Sequence, residues 1–355
     1  MANVDKTLAV GRFFDAAIEQ GASDLIFTAG VPPAVRLNGV IVQFDLPPLT
    51  SDETLKLVYS VLSQDQIAKF EAALELDFSI QYQNKARFRG NCYKQKGAVA
   101  AVFRLIPSAI PSLDSLGLPA VLAEICMQPQ GLLLFTGPTG HGKSTTQAAL
   151  IDLINQKRRC HIITIEDPIE YLHVSKNSII DQRDVGNDTH SFTAALRHVL
   201  RQAPDVIQVG ELRDLESMGV ALTAAETGHL VMATLHTNSA IQAIDRIIDI
   251  FPPLQQNQIR TQLSFSLLAV ISQRLLPRTD GKGRVASVEI LRNLPSVANL
   301  IREGKTQQIA TIIETHSKVG MQSMDSSLKD LCRRGVITRE CAAKFMVNPN
   351  SLKDS

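Results

Sequence analysis

Four short apolar runs in the second half of the chain, residues 131–135, 161–165, 206–209 and 229–235, carry almost no charge, as strands buried on both faces do. Between them, residues 191–202 and 214–226 place apolar side chains at helical spacing. Strand and helix in alternation predict a parallel sheet covered on both faces, with a site beyond the C-terminal ends of its strands. After about Leu254 the pattern turns mostly helical, broken by Asp280-Gly281-Lys282-Gly283 between Leu275 and Val285, and residues 348–355 look frayed. No internal repeat is visible.

The first third of the chain has a different rhythm. Residues 24–27, 34–37 and 40–42 are short strand-like runs with Asn38-Gly39 as a hairpin turn, and 76–80, 86–93 and 98–104 add three more. One helix is expected over 53–71. Prolines 107, 111 and 119 then space out a linker. The expected organisation is a small α/β domain over 1–106, a linker over 107–120 and a larger α/β domain over 121–355.

With 355 residues, two domains can each bury a core. A formal charge of +1 and a pI near 7.7 lack the basic footprint of a nucleic-acid binder, and a 5% aromatic content without tryptophan argues against a base-stacking platform. Asp5 sits in an N-terminus with no apolar signal region. The longest apolar runs, such as 267–271, fall far short of a membrane span, so a cytoplasmic location without an anchor of its own is expected. The cysteines, at 92, 126, 160, 332 and 341, show no C-x-x-C spacing and predict neither a zinc ribbon nor a disulfide framework.

The chemistry begins right after the first apolar run. Gly137-Pro138-Thr139-Gly140-His141-Gly142-Lys143-Ser144 matches the G-x4-G-K-[ST] phosphate loop, and Thr145 starts the helix that leaves it. Glycines let backbone N–H groups curl around an anion, and the helix N-terminus adds partial positive charge. Lys143 would reach the β- and γ-phosphates of ATP, and the Ser144 hydroxyl would hold Mg²⁺ between them. A small residue is commoner at the position of His141. Its ring is either packed away or placed near the phosphates, and packing is the simpler expectation.

Three more blocks fall where strands end. Thr164-Ile165-Glu166-Asp167-Pro168-Ile169-Glu170 follows the second apolar run; read alone it is a charged turn, but after a phosphate loop in the same sheet it is better read as part of the site. Asp205-Val206-Ile207-Gln208-Val209-Gly210-Glu211 resembles a Walker B strand, altered by Gln208 within the run and by Gly210 before the acid. Glu211 could polarise the attacking water or hold the magnesium's water shell, and is the expected catalytic carboxylate. The third block, 228–236, carries His229 and His236; at about 3.3 Å per residue their rings lie roughly 20 Å apart along a strand, so they cannot share one metal ion. His236, just past the strand, is placed to sense the γ-phosphate, while His229 is expected to be structural or at a subunit contact.

These blocks, in this order and spacing, resemble the secretion ATPases that power type II secretion and type IV pili, and the likeness extends to Gly21-Ala22-Ser23-Asp24-Leu25 and Pro32-Pro33 near the N-terminus. The resemblance implies a RecA-like P-loop NTPase domain with a smaller PAS-like N-terminal α/β domain and a helical C-terminal region. It further implies a homo-hexameric ring that uses ATP and Mg²⁺, works on an inner-membrane pilus platform protein, and meets the membrane only through partners. It assigns Glu170 a role beside Glu211 in hydrolysis, and Arg89 and Arg104 to the phosphates. An additional N-terminal domain and a four-cysteine zinc element, usual in extension and secretion members, are not seen, and this favours the retraction branch. Residues 295–303 are similar to that branch's A-I-R-N-L-I-R-E segment, with Ala298 in place of its first arginine; an accessory retraction ATPase is therefore the alternative.

Overall fold

The computed structural model describes residues 10–37, 39–83, 85–106, 109–281 and 283–352, which divide into two compact units, Met1–Ala109 and Ile110–Ser355. Pro107 of the expected linker, Asn38 of the expected hairpin turn and Lys282 lie outside the described residues.

The first unit runs α1 (Val10–Glu19), β1 (Asp24–Phe27), β2 (Ala34–Leu37), β3 (Val40–Gln43), α2 (Ser51–Tyr59), α3 (Gln64–Ala73), β4 (Glu75–Tyr82), β5 (Ala86–Gln95) and β6 (Ala98–Ile106). Its strands form one sheet in the order β3-β2-β1-β6-β5-β4, antiparallel at every pairing. Alternate residues of β5 are buried, as a half-buried strand requires. Phe14 of α1 lies on Phe88 with ring centroids 4.4 Å apart, and Phe27, Phe70 and Phe103 complete an aromatic core. The expected single helix over 53–71 is two helices. Ser63 accepts from the Gln66 N–H while Gln66 reaches back to the Ser63 N–H, a capping box that starts α3 afresh after α2 has closed at Ser60.

The second unit runs α4 (Val121–Cys126), β7 (Gly131–Thr136), α5 (Lys143–Lys157), β8 (His161–Glu166), β9 (Ile179–Asp184), α6 (Phe192–Val199), β10 (Val206–Val209), α7 (Leu215–Glu226), β11 (Leu230–Thr234), α8 (Ala240–Asp249), α9 (Pro253–Ser266), β12 (Leu267–Pro277), β13 (Arg284–Arg292), α10 (Pro295–Arg302), α11 (Ile309–Thr315), α12 (Met324–Arg333) and α13 (Arg339–Ala343). The sheet order is β13-β12-β7-β11-β10-β8-β9, parallel except for the antiparallel β12–β13 pair at one edge. Strand alternation sorts the core into two layers. Leu132 and Leu134 pack with Leu196, Met218 and Ile244 of α6 to α8, whereas Leu133 and Phe135 pack with Leu122 and Leu150 of α4 and α5.

The chain after Leu254 departs from the helical expectation: following α9 it enters the strand pair β12–β13 before the short helices α10 to α13. The apolar run 267–271 is buried on both sides because it lies parallel to β7, with Ile271 opposite Phe135 and Ser272 opposite Thr136. The end of the chain is not frayed as far as it is described. Leu352 is buried with Leu276, Leu328, Ile337 and Met346 in a satellite core, and residues 353–355 lie outside the described residues. Cys92 and Cys126 are buried free thiols, each pushed up by burial, to about 11 and about 12. Among the described residues no helix is long and apolar enough to cross a membrane.

Candidate nucleotide-binding site

Strand β7 delivers the chain into a loop that only glycine can follow. Gly137, Gly140 and Gly142 have φ of +136°, +76° and +84°. Space adds to conformation at two of them: a Cβ on Gly137 would stand 2.3 Å from the Gln273 carbonyl oxygen, and one on Gly142 would stand 2.8 Å from Gln273 Nε2. Helix α5 begins at Lys143 with Gly142 as N-cap and no side-chain capping bond. The first N–H groups of this 15-residue helix therefore point, uncapped, from beside the loop, which is the donor set an oxyanion takes. Phosphate fits the residues present.

Strand β12 forms the rear of the loop. The Thr146 hydroxyl donates to Gln273 Oε1 at 2.8 Å, and Gln273 Nε2 donates to the His141 carbonyl at 3.0 Å. His141 Nδ1 accepts the Leu275 N–H at 3.0 Å, and Arg284 Nη1 donates to the Gly140 carbonyl at 3.2 Å. His141 is thus packed against β12, its ring neutral with the proton on Nε2. Burial, with Arg274, Arg284 and Lys143 nearby, holds its pKa below the ordinary imidazole value. Thr139 and Gly140 form the exposed tip, and Ser144 sits half-buried in the first turn of α5. Thr145 Oγ1 lies 3.0 Å from Tyr171 Oη. The Lys143 ammonium is buried and donates to the carbonyls of Gly137 at 2.7 Å and Pro138 at 3.0 Å. Burial lowers its pKa, and the charges of Glu211 and Glu170 pull it back up. Both carboxylates therefore act on the loop's one lysine.

Glu211 and His236 meet because β10 and β11 are parallel neighbours, with Val209 opposite Ala233, so residues just beyond the two strands share one rim. Leu212 N–H donates to the Thr234 carbonyl at 3.1 Å, and the Thr234 hydroxyl donates to the Gly210 carbonyl, extending the pairing through the odd Gly210. His236 Nε2 lies 3.0 Å from Glu211 Oε1, and Arg213 Nη2 lies 2.8 Å from Glu211 Oε2. Burial raises the Glu211 pKa, but the hydrogen bonds and charges of Arg213 and His236 outweigh it and hold the carboxyl below its usual range. Glu170 stands on the turn after β8 with its side chain exposed. His229 Nδ1 lies 3.0 Å from the Ala224 carbonyl oxygen.

Arg89 and Arg104 belong to the first unit, where they face each other across β5 and β6. Arg104 Nε donates to the buried Asp24 at 3.0 Å, while Arg89 is 3.7 Å from Asp77. In the second unit, a cleft of about 550 Å³ opens from Gly142, Thr145 and Thr146 toward Leu116, Arg278 and Arg334. Its size suits the nucleoside part of a ligand whose phosphates occupy the loop. No group of three or more His, Cys, Asp or Glu side chains able to hold a metal occurs among the described residues. A magnesium ion here would take its oxygens from Ser144 and from the phosphates themselves.

Gln273 and Arg213 were not singled out from the sequence. The only trace of Gln273 is a polar residue inside an apolar strand, and Arg213 is one charge among several after Glu211.

A glycine loop between a buried strand and an uncapped helix, with a carboxylate–histidine pair at the ends of neighbouring parallel strands, defines a P-loop ATPase. The chain belongs to the type II/IV secretion system protein family, whose description matches residues 12–340. It is 48% identical over 324 residues to the type IV pilus retractation ATPase PilT of Pseudomonas aeruginosa, covering 91% of this chain and 94% of that one. It is 43% identical over 336 residues to the type IV pilus ATPase PilU of the same organism, covering 95% and 88%. The crystal structure of the pilus retraction motor PilT with bound ADP superposes with a TM-score of 0.92 at 50% identity, covering 98% of this chain and all of that one.

Proposed function

We propose that the protein is the motor of type IV pilus retraction, a homo-hexameric ATPase that converts ATP hydrolysis into domain motion acting on an inner-membrane platform protein. The observation that carries this reading is the pairing of Glu211 with His236 beside the glycine loop, in a chain so similar throughout to a retraction motor. Lys143 and the α5 N-terminus bind and neutralise the phosphates. Ser144 would hold Mg²⁺, which when bound would neutralise charge on the phosphates. Glu211, kept ionised by Arg213 and His236, orients and deprotonates the attacking water, with Glu170 as its companion. His236, hydrogen-bonded to Glu211, links that carboxylate to the state of the γ-phosphate. Arg89 and Arg104 are the cations that would join the phosphates on hydrolysis. In this reading the first unit is PAS-like and the second RecA-like.

The test is genetic and enzymatic together. Cells deleted for the gene should stay piliated and fail to retract, and the intact gene should restore retraction. Lys143→Ala and Glu211→Gln should not restore it, and in the purified ring each should cut turnover by about 10²-fold or more. Loss of surface pili on deletion would indicate an extension motor instead, and unchanged turnover in both variants would sink the site assignment.

An accessory retraction ATPase is the second reading, and Ala298 favours it. It lies buried in α10, its N–H donating to the Leu294 carbonyl, with no basic side chain at the position where the retraction segment carries one. Pili that still retract after deletion of this gene would select that reading.

A further inference from the structure

The exposed Glu170 carboxylate has no hydrogen-bond partner among the described residues, so its aim must come from the backbone of the turn that bears it. That backbone is held at successive points. Ile169 N–H donates to Asp184 Oδ1 at 3.3 Å, Glu170 N–H to Glu166 Oε2 at 3.4 Å and His173 N–H to Gln182 Oε1 at 2.8 Å, while the Tyr171 carbonyl accepts from Gln182 Nε2 at 2.8 Å. All three acceptor side chains sit at the end of one strand pair. Thr164 is opposite Gln182 and Glu166 opposite Asp184 across β8 and β9, and Glu166 Oε1 accepts from the Thr164 hydroxyl at 2.7 Å and from Gln182 Nε2 at 3.2 Å. The turn is also tied forward: Tyr171 Oη is 3.0 Å from Thr145 Oγ1, in the same first turn of α5 as Lys143 and Ser144.

We propose that Glu166, Gln182 and Asp184 are positioning residues that hold the 167–173 turn and aim Glu170 at the reacting phosphate. The inference rests on the reading that Glu170 takes part in hydrolysis. Its physical ground is cost. Glu166 and Asp184 are buried carboxylates facing each other at the end of a strand pair, and burial pushes Glu166 up to about 7. Well-packed apolar residues would serve stability at least as well, because burying a carboxylate is expensive. What apolar residues could not do is accept the N–H groups of a particular turn and so fix one backbone course for Glu170. Gln182 is the centre of the arrangement, since its amide bonds Glu166, Tyr171 and His173 at once.

The test uses the full-length ring and three variants: Gln182→Met, Glu166→Gln and, as reference, Glu170→Gln. Gln182→Met, close to the native volume, should lower kcat for ATP at least about tenfold while KM and the affinity for fluorescent ADP change less than about twofold, because the phosphate loop is untouched. Glu166→Gln should act in the same direction. In the double variant Gln182→Met with Glu170→Gln, turnover should be no lower than in Glu170→Gln alone, since the clamp works only through Glu170. Independent, multiplying losses would overturn the proposal, as would a Gln182→Met ring with native kcat. If Glu166→Gln fails to fold, Gln182→Met and the double variant still decide. Native turnover in Glu170→Gln would instead remove the underlying assignment of Glu170, and that outcome is separate from failure of the clamp.

Discussion

Gly137 is constrained twice, by a left-handed φ of +136° and by the Gln273 carbonyl 2.3 Å from where a Cβ would sit. Gly140 is constrained once, by its φ of +76°, with open space beyond it. Alanine should separate the two effects. Gly140→Ala costs about 1–2 kcal/mol of local strain, and no neighbouring atom resists a small shift of this exposed tip. Gly137→Ala must also push back a backbone carbonyl of β12, and overpacking adds roughly 1–3 kcal/mol that a strand in a sheet cannot relieve. Titration with fluorescent ADP should show Gly137→Ala losing most affinity and Gly140→Ala weakening it only a few-fold. Similar losses in both would mean that φ alone sets the requirement. The glycines, Lys143 and Ser144 were legible in the sequence because the phosphate loop is contiguous and each residue type answers a local demand. Gln273 was not legible: its contact with the loop spans more than a hundred residues, and nothing local marks which polar residue of a buried strand will face it.

At the scale of elements, alternation of apolar strand and helix carried the inner strands β7, β10 and β11 of the parallel sheet, since each is buried along its whole length and its run is apolar but for Gln208 in β10 and the closing threonines of β7 and β11. Where that condition fails, so does the reading. Strand β9 is an edge strand with mostly polar, partly exposed residues, and β12–β13 mixes apolar and charged positions because part of the pair lies at the rim. The break between α2 and α3 is a different matter, because Thr50-x-x-Glu53 and Ser63-x-x-Gln66 are capping boxes visible in the sequence, and the second interrupts what periodicity alone presents as one helix. The second box should be measurable. Ser63→Ala leaves the Gln66 N–H without its acceptor and should destabilise the first unit by about 1 kcal/mol, seen as a lower denaturant midpoint with an unchanged slope. Thr50→Ala, at the start of α2, should behave alike, and no shift in Ser63→Ala would mean that packing of Phe70, not the cap, fixes where α3 begins.

Across the molecule as a whole, stability should be nearly indifferent to two ionisations that each affect it strongly. Burial lowers His173 from 6.5 to about 4, so the folded chain binds fewer protons there than the unfolded one. Its contribution is present above pH 6.5 and is lost as pH falls toward 4. Glu166 has the opposite sign: burial raises it from 4.5 to about 7, so its contribution is present below pH 4.5 and is lost as pH rises through 7. Between pH 4.5 and 6.5 one group favours higher pH and the other lower, each by up to about 1.4 kcal/mol per pH unit, and the slopes cancel. Removing either group should uncover the other. In urea titrations at a series of pH values across that window, His173→Leu should become less stable than the parent as pH rises, and Glu166→Gln more stable. The comparison of variant with parent cancels the remaining titrating groups, and parallel pH profiles in all three proteins would overturn the assignment.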